Sequence, residues 1–296
     1  MKANQTDLLP AFETWLRGEP AVCSAVLFGS RARGRNSPAA ADDWSDLDLH
    51  VVTTSIERIV DTDWSRAIGG QEFCLKVFRP ATGGVRKLTV LYAGGETDLV
   101  LVRASQMRLA SIAMRLGLHR RVRSVAHALN TFATIMDGGY RFLKGERTWG
   151  PLYARVVAEM AGYRIGDDEA RQFADSFLCD LLWVLQKLER GELVAAQRIL
   201  HRALHETNVV LLHELRMRRG DVTYQQARRV EQLVTPAQLS TVQVSARLDH
   251  AEIAAAAWRA REGLDELMRE LVPAWGAPAP MQALLSRHAP TPMRAR

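Results

Sequence analysis

Asp46 and Asp48 are spaced i, i+2 at the start of an apolar run that continues to Val52. Successive side chains of a strand point to opposite faces, so both carboxylates would project from the same face. Carboxylates a few ångströms apart repel each other unless a cation lies between them, and an all-oxygen donor set suits Mg²⁺. Upstream, a second apolar run, Val22 to Phe28, ends in Gly29-Ser30, with Arg31 and Arg33 close behind. A strand that ends in a Gly-Ser turn and enters a helix offers backbone N–H groups and a hydroxyl to a phosphate. A third acid, Asp98, lies in Thr97 to Val102, the returning arm of a hairpin whose first arm is Lys87 to Ala93 and whose turn is Gly94-Gly95. An acid between threonine and aliphatics is costly without a partner, and a metal shared with Asp46 and Asp48 would be one. The chemistry these residue types can do together is the binding of Mg²⁺ and a nucleoside triphosphate.

Periodicity supplies the scaffold for these residues. Strands are expected near 22–28, 46–53, 72–79, 86–93 and 97–103, with an amphipathic helix over 7–17 and another near 61–68. They suggest a small mixed sheet covered on one side. From about Ser105 to Leu271 helical periodicity dominates, broken at glycines and at Thr235-Pro236, which reads as a bundle of five or six helices. The expected fold is therefore α+β: an N-terminal mixed-sheet domain over 1–118, a helical domain over 119–272, and a partly flexible tail, 273–296, rich in Pro and Ala. Residues 36 to 43 read as a surface insertion, which costs a site little.

The composition agrees with two ordinary domains, since 47% of the 296 residues are hydrophobic. Lys+Arg 39 against Asp+Glu 33 gives +6. That balance suits a polyanionic substrate and falls short of a nucleic-acid-coating protein. Cys23, Cys74 and Cys179 are scattered in apolar stretches and read as buried free thiols of a reducing compartment. The N-terminal residues lack a signal-peptide core and no apolar run approaches a membrane span, so a cytoplasmic location without membrane partners is expected.

Phe28-Gly-Ser-Arg, Asp43-Trp-Ser-Asp-Leu-Asp-Leu and Gly95-Glu-Thr-Asp-Leu-Val-Leu together resemble the signature of the polymerase-beta-like nucleotidyltransferases. Phe177 to Leu188, the turn at Arg190-Gly-Glu and the helix beyond, to Glu214, resemble the C-terminal bundle of antibiotic nucleotidyltransferases of the streptomycin-type aminoglycoside 6-adenylyltransferase and lincosamide kinds. The resemblance is good across about residues 20 to 103 and slighter afterwards. It implies transfer of a nucleoside monophosphate, AMP from ATP above all, to a hydroxyl of a small molecule such as an antibiotic, with release of pyrophosphate. It assigns two Mg²⁺ to Asp46, Asp48 and Asp98, the β- and γ-phosphates to Gly29 and Ser30 with charge from Arg31 or Arg33, and the general base to Asp98 or to Glu96 two positions before it. Two readings from other classes compete. One is an antitoxin-like binding module without catalysis, against which the three acids speak. The other is a nucleic-acid-modifying transferase, which should show a basic-aromatic stripe that this chain lacks.

Other residues invite chemistry less strongly. His201 and His205 are four apart on a helix, a zinc-compatible spacing, yet no third ligand accompanies them. Asp180 and Glu206 read as solvent-facing acids. Arg120, Arg121 and Arg123 read as a solvated helix start. Trp44 could stack on a base or simply pack. Trp183, at helical spacing with Leu182 and Leu185, reads as core. His50 shares a strand face with the two aspartates and is left without a role.

Overall fold

In a computed structural model, which describes residues 7–34, 40–80, 85–160, 164–224 and 227–288, the chain divides into two compact units, Met1–Tyr163 and Arg164–Arg296. The first unit is built on the apolar runs. They form β1 (Val22–Phe28), β2 (Leu47–Thr53), β3 (Phe73–Pro80), β4 (Arg86–Tyr92) and β5 (Gly95–Arg103). A sixth strand, β6 (Tyr140–Lys144), completes a mixed sheet of order β3-β4-β5-β2-β1-β6. The β4–β5 hairpin pairs Tyr92 with Gly95, so its turn is Ala93-Gly94, one residue earlier than the glycine pair suggested. β2 and β5 are the parallel pair at the centre, in register Leu47↔Thr97, Asp48↔Asp98 and onward to Thr53↔Arg103.

The sheet is covered on both faces, not one. Strand alternation sends Leu27, Leu47, Leu49, Leu88, Leu99 and Leu101 to a core shared with Phe12 and Leu16 of α1 (Leu9–Gly18), Ile59 of α2 (Ile56–Val60) and Trp64 of α3 (Trp64–Ala67). The expected helix near 61–68 is thus two short ones, capped by Ser55 and Asp63. The opposite face sends Val26, Val52 and Val102 against α4 (Ala104–Arg115), α5 (Arg123–Asp137) and α6 (Glu146–Glu159). The spatial division falls at 163/164 and not at 118/119, because β6 pairs with β1 and α5 and α6 pack on the sheet. Lys144, at the end of β6, also donates to the Leu16 carbonyl at 2.7 Å and the Glu19 carbonyl at 2.9 Å.

The second unit is helical: α7 (Asp167–Glu189), α8 (Leu193–Ile199), a π-helical turn (Leu200–His205), α9 (Glu206–Arg219), α10 (Val230–Leu233), α11 (Pro236–Val242), α12 (His250–Leu271) and α13 (Ala279–Ser286). Phe177, Leu181, Val184 and Leu188 of α7 are buried, as are Ile253, Ala256, Ala260, Leu264 and Leu267 of α12. Buried Asn208 donates to the carbonyls of Thr241 and Ala260, both at 2.8 Å. Any Cβ at Gly263 would lie 2.5 Å from the Thr241 carbonyl oxygen, so glycine alone allows this close approach.

Side-chain placement corrects the expectations for the cysteines and for Trp183. Cys74 and Cys179 are exposed, not buried, and Cys23 is half-buried. Trp183 is 57% exposed, because Leu181, Val184 and Leu185 take the core face of α7. Within the 36–43 insertion, residues 36 to 39 lie outside the described residues, as does the end of the expected tail, 289–296. No helix among the described residues is long and apolar enough to cross a membrane.

Candidate active site

The in-register parallel pair places Asp48 beside Asp98, and Asp46 sits one residue before β2 on the same face. Ligand oxygens of Asp46, Asp48 and Asp98 all lie within 4.8 Å of one another. These acids come from two strands 50 residues apart, and the β2–β5 register is what joins them. Asp98 is only 2% exposed, flanked by β2 and β4, whereas Asp46 and Asp48 are half-buried at the open end of the sheet. Such burial demands partners. Lys87 pairs with Oδ2 of Asp98, and Thr89, directly opposite on β4, donates to its Oδ1.

Glu96 shares the strand face but not the cluster. Its carboxylate is held by Arg79 at 2.9 Å, and Arg79 also donates to Thr89 at 3.0 Å. Of the two candidates for the third position, Asp98 converges in space with the other acids and Glu96 belongs to an ion pair.

Gly29 closes the site from the β1 side. Its φ of +73° lies in the left-handed region, and a Cβ there would run into the Asp48 carboxylate, whose Cγ would be 3.2 Å away. The backbone turn is thus seated directly on a candidate metal ligand. The short helix expected after the Gly-Ser pair is a four-residue 3₁₀ turn, Gly29–Ala32. A helix macrodipole is therefore no part of the site, and anion binding here would rest on the turn itself. Ser30 is 2% exposed and its Oγ has no hydrogen-bond partner among the described residues. Leaving a buried hydroxyl unsatisfied costs about 1–3 kcal/mol, which a phosphate oxygen would relieve.

Both arginines make contacts within the first unit. Arg31 turns onto the backbone that carries the first aspartate: its Nε donates to the carbonyls of Ser45 at 3.2 Å and Asp46 at 3.1 Å, and an Nη donates to Ser45 at 3.0 Å. It positions Asp46. Arg33 lies against Gly138 at the C-terminal end of α5, where a cation meets the negative end of the helix. Ahead of the acids, Asp42 forms an Asx turn with Trp44 N and Ser45 Oγ. Trp44 itself is 85% exposed, so packing is not its role.

His50, one further step along the acid face, is buried. Tyr153 Oη lies 2.6 Å from its Nδ1 and the Phe132 ring 5.3 Å from its own. Burial drives the imidazole down to about 4, so it is neutral, and burial likewise raises the Tyr153 phenol. Sequence reasoning missed Tyr153, Lys87 and Thr89. Tyr153 lies 103 residues from its partner and left no local signal. Lys87 and Thr89 had one: correct hairpin register sets Thr89 opposite Asp98 and Lys87 on the same face.

The three carboxylates, hard oxygen donors within reach of one another, fit Mg²⁺, and the orphaned hydroxyl of Ser30, next in the chain to the glycine seated on Asp48, fits a phosphate. The three acids lie together, with Gly29 against Asp48. No family model matches the chain, and no curated protein matches it. Among solved structures, the chain is similar to an aminoglycoside 6-adenyltransferase from Bacillus subtilis, 11% identical over 97% of this chain and 97% of that one, with a TM-score of 0.38. It is also similar to a nucleotidyltransferase-like protein from Exiguobacterium sibiricum 255-15, 13% identical over 89% of this chain and 75% of that one, with a TM-score of 0.31. At these identities and TM-scores nothing about activity passes from either protein to this one.

Proposed function

We propose that the chain is a metal-dependent nucleotidyltransferase that moves a nucleoside monophosphate from an NTP, ATP first among them, to a hydroxyl of a small molecule and releases pyrophosphate. The observation that carries this reading is the convergence of Asp46, Asp48 and Asp98 against the Gly29 turn. Asp46, Asp48 and Asp98 would hold two Mg²⁺ ions, which supply charge neutralisation at the α-phosphate. The chain's own residues do the rest. Arg31 fixes the Asp46 backbone. Gly29 admits the phosphate turn against Asp48, and Ser30 Oγ donates to a phosphate oxygen. Of the two candidate bases, Asp98 would take the acceptor proton at a carboxylate oxygen in preference to Glu96, because it belongs to the acid cluster.

The acceptor class rests on the sequence resemblance: a hydroxyl-bearing antibiotic of the aminoglycoside or lincosamide kind, met in the cytoplasm. The test is pyrophosphate release by the purified protein with each NTP and a panel of such acceptors, with product mass read by spectrometry. A Mg²⁺-dependent nucleotidyl adduct on one small acceptor is expected. Absence of both NTP binding and turnover would sink the reading in favour of an antitoxin-like module. An adduct on RNA ends alone would favour the nucleic-acid-modifying alternative.

A further inference from the structure

Three carboxylates gathered within 4.8 Å need positive charge even before any metal arrives. Arg31 is bound to the Ser45 and Asp46 carbonyls and, at 3.4 Å, to Asp7. Arg79 is engaged by Glu96. Lys87 does reach the cluster. Its ammonium pairs with Oδ2 of Asp98 while Thr89 holds Oδ1, so both oxygens of the most buried acid are already engaged. Register explains the reach: Thr89 lies across from Asp98, and Lys87, two residues away on β4, projects from the same face.

We propose that Lys87 is the resident counter-cation of Asp98, and that a metal ion shares Asp98 only when Lys87 gives it up. This rests on the nucleotidyltransferase reading and adds an order of loading to it. Lysine and metal compete for one carboxylate, so whatever Lys87 contributes to the metal-free protein is subtracted from metal affinity at Asp98. Asp46 and Asp48 are the more open acids, half-buried where Asp98 is 2% exposed. A first ion is therefore taken up by that pair in the absence of nucleotide, and a second, shared with Asp98, awaits the negative charge of a bound triphosphate. Lys87 is a positioning residue in this scheme. It acts through Asp98, guarding the protein against an unpaired buried carboxylate and making the complete metal site conditional on nucleotide.

The experiment counts bound Mn²⁺ by electron paramagnetic resonance, with and without a non-hydrolysable NTP, in the wild type, Lys87→Met and Lys87→Arg. Thermal melts in EDTA run alongside. The wild type is expected to take one Mn²⁺ alone and a second with nucleotide. Lys87→Met should bind the second ion at least about tenfold more tightly without nucleotide. It should also melt lower than wild type in EDTA and recover when Mn²⁺ is added. Lys87→Arg, which keeps the charge, should behave as the wild type does. Equal Mn²⁺ stoichiometry and affinity in Lys87→Met and wild type would overturn the proposal, as would a wild type that takes up both ions without nucleotide, a result that stands even if Lys87→Met fails to fold. A wild type that binds no Mn²⁺ with or without nucleotide would instead bring down the nucleotidyltransferase reading, and the Lys87 proposal with it.

Discussion

Asp98 in the first unit and Glu214 in the second are both carboxylates exposed by only 2%, and both meet basic side chains, yet they are built for different ends. Glu214 is saturated. Arg164 and Arg218 each donate to its Oε1 at 3.0 Å, and the Ile165 N–H donates to Oε2 at 3.0 Å. Arg218 then binds the carbonyls of Ile165 and Leu271 and the Asp167 carboxylate. The network ties the entry to α7, the end of α9 and the end of α12 into one joint. Asp98 pairs with Lys87 but keeps company with two further acids, Asp46 and Asp48. A buried acid wrapped by two arginines and a backbone N–H is structural. A buried acid gathered with two others, at the open end of a sheet, is poised for a cation.

The largest effect that separates them is on turnover. Asp46→Asn and Asp48→Asn should each lower kcat at least about a thousandfold, roughly 4 kcal/mol, since metal-borne charge stabilisation is lost. Their melting temperatures without metal should hold or rise, because like charges are removed. Asp98→Asn should also lower kcat strongly while changing NTP affinity by less than about tenfold. Glu214→Gln should leave turnover per folded molecule intact, and so should Glu96→Gln, which breaks only a partly exposed pair with Arg79. Steady-state kinetics on the set checks this. If Glu96→Gln were dead and Asp98→Asn active, the contrast between cluster and ion pair would be drawn on the wrong strand position.

Stability separates them in the opposite direction. Glu214→Gln takes the carboxylate from Arg164 and leaves Arg218 with Asp167 alone, and should destabilise the second unit by about 3 kcal/mol in urea. Circular dichroism of the helical signal reads it. A shift as large in Asp46→Asn as in Glu214→Gln would erase the distinction between the two kinds of buried acid.

The two units should also respond differently to pH. Burial alone would raise the Glu214 carboxyl, and the hydrogen bonds from Arg164, Ile165 N–H and Arg218 outweigh it, holding the group below the usual carboxylate range. Its contribution is present above the unfolded carboxylate value and is lost as pH falls through the lowered folded one. The first unit should weaken earlier. Buried His50 sits at about 4 against an ordinary 6.5, so the unfolded chain takes up that proton first. Stability should fall between pH 6.5 and 4, by about 3 kcal/mol at most. His50→Phe should flatten that slope while leaving the more acidic one from Glu214. Chemical denaturation from pH 7 down to about 2 measures both.

Much of this contrast is legible in the sequence. Alternation and turn residues locate β1, β2, β4 and β5 closely, and the i, i+2 aspartates fix their shared face. β6 is not legible. Tyr140–Lys144 is a short run inside helical periodicity, and its partner lies on β1, more than a hundred residues earlier, so nothing local marks it. Trp183 misleads because apolar spacing on α7 is ambiguous by one position around the helix; Leu181, Val184 and Leu188 define the buried stripe and leave the indole outside. Arg31 and Arg33 can be read only by charge, and it takes the fold to show that one grips carbonyls and the other sits at a helix end. The Glu214 joint escapes altogether, since its partners are 50 residues upstream and four residues along the helix, a pattern shared with many surface pairs.

Ser30 carries the smallest of these effects and the most specific one. Its hydroxyl is buried without a partner among the described residues, next to a glycine seated on Asp48. A hydroxyl that served the fold would be bonded, and removing it would destabilise the unit. One that serves a ligand is a liability until the ligand arrives. Ser30→Ala should therefore leave the melting temperature of the free protein unchanged or slightly higher. It should weaken NTP binding in Mg²⁺ by about 1.5–3 kcal/mol, the value of one hydrogen bond to a charged group, or about ten- to a hundredfold. Titration calorimetry and thermal melts on the same variant give both numbers. A lower melting temperature together with unchanged NTP affinity would make Ser30 a packing residue of the β1 turn. The phosphates would then have to be held by the Gly29 backbone and the metal site alone.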